Sequence, residues 1–227
     1  MDKKTAMQQK VIIIGGIGTG TIIAQAINDA NNKGDKAIVV HGFMSHDKEV
    51  GELIEGIPVV AKQSPENIQK CFAEGYKFIF ALHRMDGGEY FINLYNSLML
   101  KPEMMATFVH PSAYVAPNVI IKEGCVIMPH VMISAGTTIG RNSLIMGGVG
   151  IGHNTNIGEF NHIAMQSVVG SYIETAIGVH FGLNCTIREY LKIGEYSTIG
   201  MGTVLTKDVG AHEMWVGVPA KFLRNAK

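Results

Sequence analysis

Between residues 108 and 209 the chain repeats every six residues without losing phase. Stepping by six from Val109 passes through Val115, Ile121, Ile127, Ile133, Ile139, Ile145, Ile151, Ile157, Ile163, Val169, Thr175, Phe181, Ile187, Ile193, Ile199 and Leu205, and only Thr175 is polar. Four residues after these stand residues that are nearly all small or β-branched, such as Ala113, Val119, Cys125, Ser143, Ser167 and Thr203. A helix would space apolar residues by three and four, and a two-faced strand would alternate them, so neither period accounts for the run. Six is the repeat of a parallel β-helix, in which each hexad lays one short strand on one wall of a coil. The large residue is expected to point inward and the small one to sit where the chain turns a corner. One coil cannot bury its own inward side chains, so stability requires a stack, and seventeen hexads in phase supply it.

The first hundred residues follow another rhythm. Val11–Ile14 is a β-branched run leading into Gly15-Gly16-Ile17-Gly18-Thr19-Gly20, and residues 21–32 read as a helix. A second strand over 37–43, an irregular loop over 44–56 and a strand over 57–60 follow. Ser64-Pro65-Glu66 has the form of a helix N-cap with proline in the first turn. A strand over 77–82 and a helix over 89–100 complete an alternation that predicts a small, Rossmann-like parallel α/β domain. The expected organisation is residues 1–104 as that domain and 105–227 as the β-helix with a C-terminal tail.

Formal net charge is zero, which argues against a nucleic-acid or anionic-membrane footprint. The apolar stretch from Val11 to Ile27 is broken by four glycines, which favours a strand and turn over a signal peptide or membrane insertion. Cys71, Cys125 and Cys185 form no motif and read as buried thiols in a reducing compartment, so a cytoplasmic location is expected.

A glycine turn before a helix offers free backbone N–H groups and a favourable dipole to phosphate oxygens. The spacing here is G-x-x-G-x-G, with Thr21 where a dinucleotide fingerprint needs glycine, and no acidic residue ends the second strand. That disfavours NAD and leaves a phosphorylated ligand or a purely structural turn. In the repeat, His110, His130, His153, His162 and His180 all miss the inward phase, which places them on outer surfaces or at corners. The default for His110 and His130 is a solvated surface histidine. His162 and His180 are eighteen residues apart and should stack in one column, but Leu144 and Thr198 flank them, so no metal is expected.

The motifs Gly15-x-x-Gly18-x-Gly20, Gly42-Phe43 with Gly56-Ile57-Pro58-Val59, Ile151-Gly152-His153-Asn154, Ile157-Gly158-Glu159-Phe160-Asn161-His162-Ile163 and Val216-Gly217-Val218-Pro219-Ala220-Lys221 span nearly the whole chain. In their order it resembles bacterial sugar acetyltransferases that join a nucleotide-sugar-binding α/β domain to a left-handed β-helix. These include the bacillosamine-pathway UDP-amino-sugar N-acetyltransferases, the GDP-perosamine N-acetyltransferases and the sialic acid O-acetyltransferase group.

The resemblance implies a left-handed coil and acetyl transfer from acetyl-CoA to an amino or hydroxyl group of an activated sugar. It implies a homotrimer with sites between subunits, and no covalent enzyme intermediate. His153 would be the general base, with Asn154 or Glu159 beside it. His162, Gly170, Ser171, His180, Gly182, Pro219 and Lys221 would meet acetyl-CoA, the N–H groups of Gly170 and Gly182 facing the oxyanion and Lys221 or Arg224 the CoA phosphates. Gly15, Gly18, Thr19, Gly20, Gly42, Ser45, His46 and Gly56 would hold the sugar nucleotide. Two positions depart from the family. Asn154 replaces the usual acid after the base and supplies orientation without charge, leaving either a weaker base or that role to Glu159. Ser45-His46-Asp47 replaces an aspartate pair that contacts the nucleotide. Other readings are a non-catalytic sugar-nucleotide-binding or assembly protein and a zinc hydratase of the γ-carbonic-anhydrase kind.

Overall fold

The computed structural model describes residues 8–35 and 37–226. Strand β1 (Gln9–Ile14), helix α1 (Thr19–Asn32), strands β2 (Ile38–Ser45), β3 (Leu53–Ile54) and β4 (Ile57–Lys62), helix α2 (Pro65–Ala73), strand β5 (Lys77–Phe80) and helix α3 (Gly88–Ser97) form the first layer. The sheet order is β3-β4-β2-β1-β5, parallel except for the β3–β4 hairpin. Its first strand, β3, lies inside the stretch the sequence assigns to a loop, and the hairpin turns on Glu55 and Gly56, at φ 49° and 80°. Ser64 caps α2 by accepting from Asn67 N–H at 3.2 Å.

The repeat forms a parallel β-helix of three faces. The first runs through Phe108–Val109, Val126–Ile127, Leu144–Ile145, His162–Ile163, His180–Phe181 and Thr198–Ile199. The second runs from Tyr114–Val115 to Val204–Leu205 and the third from Ile120–Ile121 to Lys192–Ile193. Each strand pairs with the one eighteen residues on, as Leu144 with His162 and His162 with His180. The inward residues from Ile127 to Leu205 are buried as expected, while Val109, Val115 and Ile121 in the end coil are partly covered. Thr175, the polar exception, donates to Asn161 Oδ1 at 2.8 Å and accepts from Gly158 N–H at 2.9 Å, so its hydroxyl is satisfied inside the core.

The corners have their own chemistry. Every sixth residue from Gly124 to Gly202 lies in the left-handed region, with φ between 54° and 76°, which explains the glycines and asparagines in that column. The small residues are buried and hold adjacent coils together. The Thr137, Ser143, Thr155 and Ser167 hydroxyls each donate to the carbonyl fifteen residues on, at Gly152, Gly158, Gly170 and Gly182.

The α/β layer sits on the first face. Val126, Leu144, Met128 and Met146, pointing out of the coil, share one apolar cluster with Val11, Ile13, Ile23 and Ile27. Outward from that face is therefore inward for the molecule. His110 is not a solvated surface residue: it is 1% exposed, with Nε2 3.0 Å from Asp29 Oδ2 and Nδ1 2.8 Å from Ser112 Oγ. A hairpin of Glu213–Val216 and Lys221–Asn225 extends the sheet of the first face beyond Thr198–Ile199. Cys125 and Cys185 are buried and burial pushes their thiols up, to about 12 and about 11, whereas Cys71 is only half-buried.

Candidate active site

Strands β1, β2 and β5 end along one edge of their sheet, where α/β folds commonly take ligands. A cleft of about 350 Å³ opens there, lined by Gly15, Ser45, His46, Asp47, Gln63 and Tyr90. Ser45 donates to Asp47 Oδ1 at 2.8 Å, and this bond holds the Asp47 carboxyl below its usual range. Gly18, at φ 91°, caps α1 with no side-chain partner, so the first-turn N–H groups face outward from a bare helix end. Thr19 opens instead onto a neighbouring cleft.

Three glycines assigned to ligand binding have structural work. A Cβ on Gly42 would lie 2.5 Å from Val60 Cγ1 and 2.6 Å from Pro58 O, so glycine there lets β2 approach β4. Gly56 serves the β3–β4 turn, and Gly20 packs under Phe43.

The neighbouring cleft, about 270 Å³, lies between the α/β layer and the corner joining the first and second faces. Thr19, Arg84, His162, His180, Gly182 and Leu183 are on its wall. His162 and His180 stack as the eighteen-residue spacing predicts, Nδ1 to Nδ1 at 3.1 Å with ring centroids 4.7 Å apart. A third histidine, His83, comes from the end of β5 and stacks on His162 at 5.4 Å and 17°. Sequence reasoning missed it, although a histidine three residues past the last residue of β5, at the ligand-binding edge of such a sheet, was a readable signal. Burial holds all three neutral: His83 and His180 are pushed down to about 4, and His162 well below its usual value. His83 meets His162 face to face, and the Nδ1 atoms of His162 and His180 are engaged with each other; among the described residues no group of three His, Cys, Asp or Glu is arranged to hold a metal.

His153 stands at the corner between the second and third faces, exposed to solvent. Asn154, at φ 55° in the left-handed column, places Oδ1 2.9 Å from His153 Nδ1. With Nδ1–H donated to that amide, Nε2 is the basic nitrogen and points away from it. Glu159 is not the orienting group: it sits at the next corner, its carboxylate 2.8 Å from Arg141. Ser171 lies one coil beyond His153, close against Gly152.

The N–H groups of Gly170 and Gly182 are not available to an oxyanion. They donate to Ile187 O and Ile199 O at 3.0 and 2.7 Å within the coil ladder. Glycine is required there because a Cβ would meet the next coil's backbone at 2.7 and 2.6 Å. Pro219 and Lys221 are exposed at the hairpin turn and the start of its second strand. Arg224 is partly exposed and already paired; its guanidinium bonds Asp86 Oδ2 at 2.7 Å and ties the tail to the α/β layer.

No family model matches the sequence. Among solved structures, a variant of perosamine N-acetyltransferase from Caulobacter crescentus, in complex with CoA and GDP-perosamine, superposes with a TM-score of 0.82 at 22% identity over 97% of this chain and 99% of that one. The acetyltransferase domain of PglB from Neisseria gonorrhoeae, in complex with acetyl coenzyme A, gives 0.79 at 22% identity over 95% and 100%. WeeI from Acinetobacter baumannii gives 0.74 at 19% identity over 95% and 100%. The chain therefore shares with these proteins, over almost its whole length, one fold: a small α/β layer followed by a parallel β-helix.

Proposed function

We propose that this protein transfers the acetyl group of acetyl-CoA to an amino or hydroxyl group of a nucleotide-linked sugar, with His153 as general base. The observation that carries this reading is the His153–Asn154 pair, which fixes one imidazole nitrogen and leaves the other open at an exposed corner. The shared fold supports it, since relatives of that fold were solved with CoA and GDP-perosamine.

The sheet-end cleft would take the nucleotide, its phosphates against Gly15 and the bare end of α1. The methionine- and leucine-walled cleft beside His162 suits the flexible arm of CoA, with Arg84 at its rim. In the neutral His162–His180 pair one ring donates at Nδ1 and the other accepts, and the accepting ring must carry its proton on Nε2. That N–H is a neutral donor on the cleft wall for the developing oxyanion, a role the glycine amides cannot fill.

His153 lies on the corner opposite the first face, away from the α/β layer, so it would serve the sheet-end cleft of another copy. The outward positions of the second face, Tyr114, Met132, Gly150, Val168, Thr186 and Val204, carry no charge and would pack between copies in a homotrimer. No helix among the described residues is long and apolar enough to cross a membrane. The three unpaired thiols fit the cytoplasm.

The test is mass spectrometry of products after incubation with acetyl-CoA and a panel of UDP-, dTDP- and GDP-linked amino sugars plus free sialic acid. Acetylation of one acceptor is expected. Binding of a nucleotide sugar with no acetylated product and no acetyl-CoA binding would instead favour a non-catalytic binding protein.

A further inference from the structure

Asn154 gives His153 orientation without charge, yet a base that accepts a proton needs its cationic form stabilised. The next two coils place Tyr172 and Tyr190 in the column of Asn154, one residue along the chain from His153. The rings of Tyr172 and Tyr190 stack at 4.8 Å and 5°, matching the spacing of adjacent coils. The His153 ring meets Tyr172 at 5.1 Å and 81°. Tyr190 occupies one face of Tyr172, which leaves the other turned toward the His153 coil, where the imidazole stands perpendicular to the phenol ring. Both tyrosines are exposed, at 43% and 69%, and hold left-handed backbones, at φ 58° and 61°. The repeat sets that conformation at every sixth residue, Phe160 and Tyr196 included, and it carries these two side chains outward from one corner.

We propose that the π face of Tyr172, backed by Tyr190, stabilises the imidazolium that His153 becomes during proton abstraction, replacing a neighbouring carboxylate. Tyr172 is thus a positioning and electrostatic residue acting through His153. This rests on the acetyl-transfer reading only for its place in the reaction. There, the acceptor's nitrogen or oxygen forms a bond to the thioester carbon while its proton passes to His153 Nε2. The carbon–sulfur bond then breaks and the imidazolium returns the proton to the departing thiolate. A ring face rich in electron density attracts a cation with about 0.5–1 kcal/mol at exposed sites, equivalent to about 0.4–0.7 pH unit in a titration midpoint. The charged groups continuing these corner columns are Arg188 and Glu189 two coils on and Lys207 and Asp208 at the end of the stack; the phenols of Tyr172 and Tyr190 complete the titratable set.

The experiment is an NMR titration of the His153 ring in the native protein, Tyr172→Phe and Tyr172→Leu without substrate, the resonance being assigned from His153→Gln. Phenylalanine keeps the π face and leucine removes it, while both keep a β-carbon in the strained turn. The midpoint is expected to hold in Tyr172→Phe and fall by about 0.4–0.7 pH unit in Tyr172→Leu. Tyr190→Leu should produce a smaller fall. An unchanged midpoint in a folded Tyr172→Leu protein overturns the proposal. Because no acceptor is present, this result stands apart from whether acetyl transfer is found. If it is found, Tyr172→Leu should lower kcat several-fold on the alkaline side of the profile and less at acid pH, where the less basic ring is more fully deprotonated, with KM unmoved.

Discussion

His162 and His180, eighteen residues apart, approach Nδ1 to Nδ1 at 3.1 Å on a face that the α/β layer covers. Two neutral imidazoles in that contact must hold complementary tautomers, so each fixes the proton of the other. With His83 stacked on His162, three imidazoles from two layers form one column, His180 buried and the other two partly covered.

The column makes the fold acid-sensitive. In the unfolded chain each ring titrates near 6.5, whereas burial holds His83 and His180 near 4. The folded state then binds fewer protons, so stability is intact above about pH 6.5 and is lost as pH falls toward 4. Denaturation midpoints across that window should fall with acid, and His83→Phe should flatten the slope by up to one proton. A slope identical in the variant would refute this assignment.

The hydroxyl ladder holds the coils in register. Ser143→Ala would leave the Gly158 carbonyl and the Asn161 N–H, now bonded at 2.9 and 3.1 Å, without partners. A loss of about 2 kcal/mol in unfolding free energy is expected from two buried polar groups left unpaired. Urea unfolding monitored by circular dichroism measures it.

Glycines of the repeat divide into two kinds. Gly182→Ala drives a methyl to within 2.6 Å of the Met201 N atom, whereas Gly202→Ala enters open space at φ 65°. The first should cost about 3 kcal/mol by overpacking and the second about 1 kcal/mol of backbone strain. Thermal unfolding of the two variants should rank them in that order.

If copies associate through the second face, one charge there should separate them. Val168, half exposed in the single chain, would be buried between copies, and Val168→Glu would strand a carboxylate without a partner. Sedimentation should show a trimer for the native protein and a smaller species for the variant, with acetyl transfer lost in parallel.

The inward series from Ile127 to Leu205 was legible because a coil repeats the same local choice and needs no partner to reveal it. The strands and helices of the α/β layer were legible for the same reason, apart from Leu53–Ile54, whose pairing depends on the Glu55-Gly56 turn. The environment of His110, His162 and His180 was not, because phase tells only that a side chain leaves the coil. Which face the α/β layer covers depends on matching two surfaces far apart in sequence. His83 was missed on that account, and so was the fact that the Gly170 and Gly182 amides are consumed by coil stacking. The His153–Asn154 contact was readable as adjacency, while the tyrosine column above it emerges only from the eighteen-residue coil.

The most direct measurement is the initial rate of thiol release from acetyl-CoA with a nucleotide-linked amino sugar, comparing the native protein with His153→Ala. Acceptor-dependent turnover is expected, lowered by the substitution by about a hundredfold or more, the scale of a lost general base. Turnover that survives the substitution undiminished would contradict it.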